Sequence, residues 1–376
     1  MAGIYIHVPF CKRKCIYCDF YSIGTLDKIP NYPKLVEREL LLRSEFISEK
    51  NIETIYLGGG TPSLLTQNQI ENIIDSIAKT FKISSNPEIT LEANPDDLTI
   101  EALIGYKKAG VNRLSIGIQS FNDSELTFLG RRHNSKDAEK TVEIALQKGF
   151  DNISIDLIYG IPKSTIESWR YSLSKAFSLG VKHLSCYHLT YEEKTVLSKK
   201  LKQKQFKEID ELQSINQFNL LRDLAQQNGF IHYEVSNLAK EGFYSRHNTA
   251  YWKGISYLGI GPAAHSYNGS KREWNPNSYV EWQKGIEKSI PNVQGENLDE
   301  HVQFNEIILT RLRTIWGINL IELKNRFSKK LVDQLLLNAN KYIQANKMII
   351  RDNHLQIPSK EYFISDGIIS DLIVVN

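Results

Sequence analysis

Along the first 230 or so residues, short runs of alternating apolar and polar side chains are separated by longer stretches with an apolar residue every three or four positions. The alternating runs are "GIYIHV" (residues 3–8), "TIYLGGG" (54–60), "EITLEANP" (88–95), "RLSIGIQS" (113–120), "NISIDLIYG" (152–160) and "HLSCYHLT" (183–190). A period of two places successive side chains on opposite faces of a strand, and a period near 3.6 lines them along one face of a helix. The runs therefore predict strands, and the stretches between them predict helices, among them 32–50 and 66–81. Strand and helix in strict alternation imply parallel strands joined by crossover helices, in six units.

The strands share a second regularity. In "EITLEAN", Ile89, Leu91 and Ala93 occupy one face and Thr90, Glu92 and Asn94 the other. Leu114, Ile116 and Ile118 likewise oppose Ser115, Gly117 and Gln119, and Ile153, Ile155 and Leu157 oppose Ser154 and Asp156. A parallel sheet covered by helices on both sides would be apolar on both faces. One polar face predicts an α/β fold of another kind, a partial (β/α)6 TIM-like barrel with a polar interior. Closed eight-stranded barrels fill their interior with branched apolar side chains, so this barrel is expected to be wider or incomplete, with its site at the C-terminal ends of the strands.

From about residue 290 the pattern changes. Helical stretches near 300–314, 319–326 and 328–346 precede "KMIIRDNHLQIP", a hairpin pattern, and predict a small helical, winged-helix-like C-terminal domain. The expected division is a barrel over 1–230, an extension over 231–290 and the small domain over 291–376. Residues 194–207 hold six lysines and are expected to form a solvated, mobile loop over the barrel mouth, with a phosphate patch as the alternative.

Composition narrows the class. A net charge of +3 over 376 residues argues against nucleic-acid binding. There is no run of about 18 apolar residues, and "MAGIYIHVPF" lacks the basic start and apolar run of a signal peptide. The expected location is the cytoplasm, with peripheral contact at a membrane the further option. Thiols stay reduced there, so clustered cysteines point to metal or redox chemistry.

Three of the four cysteines, Cys11, Cys15 and Cys18, fall in "CKRKCIYC" directly after the first strand, and Cys186 is far away. Structural zinc takes four ligands, commonly from two C-x2-C pairs, so three thiolates leave it one short. A 4Fe–4S cluster with three cysteine ligands keeps one iron open to a small molecule. The spacing alone leaves zinc or a redox switch as alternatives. Lys12, Arg13 and Lys14 bring positive charge to a cluster, or form a solvated turn.

"CKRKCIYC", with Tyr17 before the last cysteine, resembles the signature of the radical S-adenosylmethionine (SAM) enzymes, and "YLGGGTPS" resembles their glycine motif. The resemblance implies a partial barrel, a 4Fe–4S cluster and SAM chelated to its open iron. The words "YIHVPFC", "GGGTPS", "LEANPD", "GIQSF", "LGRRH" and "IDLIYGIP" are similar to those of the oxygen-independent coproporphyrinogen III oxidase group over nearly the whole chain. Carried over by these motifs, Tyr5 contacts the cofactor near the cluster, and Gly59, Gly60 and Thr61 let the backbone approach its methionyl part. Glu92, Gln119, Arg131 and Asp156 complete the implied cofactor-binding set. By parity Glu92, Gln119 and Asp156 face inward, whereas Arg131 follows its strand and reads alternatively as a surface charge.

Two departures separate the chain from the oxidases. Phe20 stands where they carry a fourth cysteine, and the tyrosine that follows a long N-terminal segment in them is here Tyr5. Both departures resemble the HemW-type haem chaperones, as does "HNTAYW", His247 to Trp252. A histidine can ligate haem iron, neighbouring aromatics can cover the macrocycle, and Arg246 or Lys253 can pair with its propionates. The alternative is a hydrogen-bonded structural histidine among core aromatics. His265 in "GIGPAAHSY" ranks second as a haem candidate. The expected function is haem binding and delivery to an acceptor, a membrane-bound respiratory protein. Coproporphyrinogen III oxidation, or radical chemistry on another substrate, is the alternative. The oligomeric state is open, a homodimer included. The protein reconstituted anaerobically with iron and sulfide is expected to hold about four irons. Cys18→Ala should abolish that iron and Cys186→Ala should leave it unchanged, as read by iron and labile-sulfide analysis.

Overall fold

The chain is described by a computed structural model covering residues 1–374. Six parallel strands lie side by side in sequence order: β1 (Ala2–Val8), β2 (Asn51–Gly59), β3 (Lys82–Ala93), β4 (Arg113–Gln119), β5 (Asn152–Tyr159) and β6 (His183–His188). The crossovers are helical: α1 (Tyr32–Arg43), α2 (Gln67–Thr80), α3 (Ile100–Lys108), α4 (Asp123–Leu129), α5 (Ser135–Gln147) and α6 (Ile166–Ser178). Their starts follow the side chains. Thr66 and Thr165 form capping boxes, and the Asn122 side chain accepts from the Ser124 and Glu125 amides. Gly130 closes α4 with φ +78°, a conformation glycine adopts without steric cost. Ile6, Leu57, Leu91, Ile116 and Ile155 are fully buried in one core with Leu40, Ile73, Val142 and Leu173 of the helices.

The partial barrel with one polar face is therefore present, and two local expectations are corrected. The helix expected over 32–50 stops at Arg43 and gives way to a 3-10 turn, Ser44–Phe46. The lysine-rich stretch is not a mobile loop. The Thr195 side chain caps helix α7 (Val196–Lys202), the Leu197 amide donates to the Ile16 carbonyl at 2.8 Å, and Leu197 is buried against Ile16, Tyr17 and Leu129. The lysines ride outside a segment packed against the cysteine loop.

After α8 (Glu211–Gln227), the segment 231–297 widens the same sheet at both ends. β7 (Ile231–His232) and β8 (Asn237–Ala239) attach to β6, with β8 antiparallel to it. The chain then passes through α9 (Arg246–Trp252) to the opposite edge. There β9 (Tyr257–Ile260) pairs parallel with β1, followed by the antiparallel strands β10 (His265–Tyr267), β11 (Lys271–Trp274) and β12 (Gln294–Asn297). The sheet thus reaches Asn297, beyond the boundary expected at 290. α10 (Tyr279–Glu287) lies between β11 and β12. The rest forms α11 (Glu300–Arg311), β13 (Ile318–Asn319), α12 (Leu320–Arg326), α13 (Lys329–Gln344), β14 (Ile349–Arg351), β15 (His354–Gln356) and α14 (Ser365–Leu372). β14 and β15 make the expected hairpin, turning through Asp352 and Asn353, both at positive φ. Among the described residues no helix is long and apolar enough to cross a membrane.

One buried carboxylate fastens the widened edge to the barrel. Glu39 of α1, fully buried, accepts from Trp282 Nε1 and Asn275 Nδ2 at 2.6 Å each, the Gly261 amide at 2.8 Å and Arg43 at 3.3 Å. Arg43 donates in turn to the Gly259 carbonyl and Ser266 and pairs with Glu273. A buried charge is tolerated only when so partnered, and removing one member costs about 3–5 kcal/mol. Glu39→Ala is therefore expected to destabilise the protein by about that amount, read as a lowered urea midpoint, whereas the exposed Glu45→Ala should shift it little.

Candidate functional site

Because β1–β6 are parallel, their C-terminal ends form one mouth, and the cysteine loop leaves β1 there. The loop is pinned by the Ile23 amide to Pro9 O, by the Cys11 amide to Ile23 O and by Cys18 N to Cys15 O. All four cysteines are free thiols, and those of the loop are partly exposed. Thr61 Oγ1 donates to Cys11 Sγ at 3.4 Å, and Arg131 Nη1 to Cys15 Sγ at 3.3 Å. Arg131 also donates to Asn94 Oδ1 and to the Gly117 carbonyl. It is thus a half-buried cation held against the thiols, not a free surface charge. Two of the three basic loop residues have other work: Lys12 pairs with Asp97 at 2.7 Å, and Lys14 donates to the Phe20 carbonyl. Burial pushes the Cys18 thiol up to about 11.

The glycine motif follows β2 directly beside this loop. A Cβ on Gly59, whose φ is +106°, would lie 2.7 Å from the His7 ring, and one on Gly60 would lie 2.8 Å from the carbonyls of Val8 and Phe10. Close approach there is first an approach of the chain to itself, and only glycine permits it. The Gly59 amide donates to Glu92 at 3.0 Å, and Tyr56 OH donates to the same carboxylate at 2.8 Å.

Below the mouth the interior is polar, as the alternation requires. Ser115 Oγ donates to Asp156 at 3.1 Å, and Ser185 lies opposite Asp156 on β6. Burial pushes the Glu92 carboxyl up to about 7 and raises Asp156 as well. Gln119 does face inward, through a bulge: it has φ +74°, the β4–β5 register slips there, and its Nε2 lies 2.8 Å from where a Gly117 Cβ would stand. Tyr5 OH meets His7 Nδ1 at 3.1 Å, and His7 Nε2 meets the Tyr21 carbonyl at 2.9 Å. His7, Tyr56 and Asn94 join the site without having been singled out from the sequence. Their signal was parity, since His7 shares a strand face with Tyr5.

The structure parts His247 from the mouth. At the opposite, N-terminal end of the strands, α9 plugs the barrel floor, its Arg246 and His247 amides donating to Glu88 at 3.0 Å each. The His247 ring is 2% exposed, with Nδ1 bonded to Thr54 Oγ1 at 2.7 Å and Nε2 to Tyr251 OH at 2.8 Å. It stacks on Tyr56 with ring centroids 5.0 Å apart, and burial lowers its pKa to about 3. Both nitrogens are engaged, so the expectation of an open haem ligand at this position is corrected to a neutral, structural histidine. Arg246 is committed to Glu53 and the Asn86 carbonyl, and Lys253 lies 4.7 Å from the Trp316 ring centroid.

The thiol arrangement suits a cluster better than zinc. Three thiols from one loop are one ligand short of a structural zinc site. One zinc would gather its thiolates about 2.3 Å from a single point, whereas a four-iron cluster meets each at its own iron. Donors aimed at Cys11 and Cys15 are the kind of outer contact that tunes such a cluster.

Three comparisons bear on this arrangement. The family model of the radical SAM superfamily matches residues 5–176. The chain is 36% identical over 334 residues to the heme chaperone HemW of Bacillus subtilis (strain 168), covering 88% of this chain and 87% of that protein. It is 39% identical over 268 residues to heme chaperone HemW of Buchnera aphidicola subsp. Acyrthosiphon pisum, covering 70% of this chain and 69% of that protein. Its fold is similar to coproporphyrinogen III oxidase (HemN) from Escherichia coli, described as a radical SAM enzyme, with a TM-score of 0.86 at 20% identity over 99% of this chain and 90% of that one.

The buried carboxylates predict a pH signature. A carboxyl held at about 7 in the folded state and near 4.5 when unfolded binds more protons folded, so stability falls as pH rises between those values. For Glu92 the loss is on the order of 3 kcal/mol. Glu234, also pushed up to about 7 by burial, adds to the same slope. In the metal-free protein Glu92→Gln should flatten the stability profile between pH 4.5 and 7, measured by urea denaturation; an unchanged slope would show that Glu92 is already ionised.

Proposed function

The chain belongs to the HemW family of radical SAM proteins, and from that premise we propose that it is a haem chaperone, binding haem and delivering it to an acceptor protein. The observation that carries the reading is a likeness extending over 88% of the chain to a protein named as a heme chaperone. The mouth supports it: Phe20 is 66% exposed beside the cysteine loop, an apolar surface offered to solvent. The proposed acceptor is a membrane-bound respiratory protein, and the proposed place of action is the cytoplasm.

Radical SAM membership implies a 4Fe–4S cluster and SAM. We assign the cluster to Cys11, Cys15 and Cys18, and the cofactor-binding site to Tyr5, Tyr17, Gly59, Gly60, Thr61, Glu92, Gln119, Arg131 and Asp156. When bound and reduced, this pair supplies a 5′-deoxyadenosyl radical. The chain's own residues orient and insulate: Arg131 keeps a cation against Cys15, Glu92 holds the Gly59 amide, and Asp156 keeps an acceptor in the interior. Coproporphyrinogen III oxidation is the second reading, favoured by the fold shared with the oxidase.

Haemin added to the reconstituted protein should produce a haem absorption band at about one equivalent. Coproporphyrinogen III with SAM and a reductant should yield no decarboxylated product by chromatography. Several turnovers of product would replace the chaperone reading with the oxidase.

A further inference from the structure

Proceeding from the haem-chaperone reading, we propose that His265 is the residue that ligates the haem iron, with the macrocycle lying on the concave face of the widened sheet beside Trp274. Four observations converge on this place.

The first is accessibility. Of the nine histidines His265 alone is exposed. Among the described residues it makes no side-chain hydrogen bond, whereas His247 has both ring nitrogens bonded. A haem iron needs an imidazole nitrogen with a free lone pair and room for a ring about it. His265 meets the first condition, and the part of its ring not covered by Trp274 faces solvent.

The second is its face. Tyr5 pairs with Gly259 and Gly3 with Tyr257, so Tyr257 shares the inward side of the sheet with Tyr5. Tyr267 pairs with Tyr257, His265 with Trp274 and Tyr267 with Arg272. Directly paired residues project to one side. Tyr257, Tyr267, His265 and Trp274 therefore extend the barrel's concave face past its open edge. Ser266 and Glu273, between them, point the other way and bond Arg43.

The third is its level. β9 runs parallel to β1, so its end lies at the mouth, and the chain turns there through Gly261 and Ala263 into His265. A Cβ on Gly261 would lie 2.6 Å from the His7 carbonyl. His265 thus stands on the same rim as the cysteine loop, and α9 lies at the other end of the barrel.

The fourth is the setting of the ring. The imidazole stacks on Trp274 with centroids 5.9 Å apart and planes inclined by 25°, and Trp274 Nε1 is anchored on Gln294 at 3.0 Å. Trp274 is a positioning residue: it holds the imidazole plane and offers apolar surface to a flat ring. Arg272 is committed to Glu296 and Glu306, so the propionates are not assigned to it. Partial burial and Arg272 lower the His265 pKa, which favours the neutral, ligating form.

The experiment is a haemin titration of the reconstituted full chain and of His265→Gly, His265→Cys and His247→Ala, followed by absorption, with iron and sulfide content confirming that each retains its cluster. His265→Gly is expected to lose the wild-type band and at least tenfold in affinity, and to regain the band on adding imidazole. His265→Cys should bind with a shifted band, because a thiolate replaces the imidazole. The His247→Ala protein that remains folded should bind as wild type does. A wild-type band and affinity in His265→Gly would overturn the assignment while leaving the chaperone reading intact. Absence of haem binding by the wild-type chain would overturn both.

Discussion

A strand buried on one side by helices must show its alternate residues to the other side, and in this chain six consecutive parallel strands show polar ones. That constraint organises the molecule. Thr54, Glu92, Ser115, Ser154, Asp156 and His183 cannot lie against a hydrocarbon core, so the sheet curves around them. The interior is then held by mutual satisfaction: Tyr56 to Glu92, Ser115 to Asp156, and Ser154 to His183, which continues to Tyr233 OH. Arg113, almost fully buried, is the interior's cation and lowers the cost of both carboxylates. Burial still dominates: the Glu92 carboxyl is pushed up to about 7, and Asp156 is raised as well.

The same constraint explains why the barrel needs a plug and a rim. A polar interior open at both ends would be a water channel. At the floor α9 closes it with a seven-residue helix whose first amides rest on Glu88 and whose His247 bridges Thr54 and Tyr251. Gly3 makes room for this, since a Cβ there would lie 3.2 Å from the His247 ring. At the mouth the cysteine loop, the glycine turn and Arg131 converge, and beyond β1 the sheet continues into the aromatic face of β9–β11. Glu39 and Arg43, reaching that sheet from behind, keep the lining attached to the barrel.

The thiols, the stacked imidazole and the exposed Phe20 therefore share one end of the molecule, and His247 of "HNTAYW" occupies the other. A motif defined by consecutive residues marks a segment as important without saying which of its groups faces solvent. "HNTAYW" spends its histidine and tyrosine on each other and on the barrel wall.

The sequence by itself determined the six βα units, the polar inner face, the three-thiol loop, the glycine turn and the C-terminal hairpin. Each is written in local periodicity or spacing, and local periodicity survives into the fold because burying the apolar face rewards it. It also carried the inward parity of Glu92, Asp156 and Gln119, the last realised through a bulge that spacing does not announce. Only the tertiary structure decided what depends on contacts between distant segments. It placed Arg131 against Cys15, packed Leu197 under the lysine-rich helix, and let residues 231–297 widen the barrel sheet at both edges. It also buried His247 while leaving His265 open. Both histidines sit beside aromatics and glycines in the sequence. What separates them is the end of the barrel each reaches, and that is set by the crossing of α9 from one sheet edge to the other.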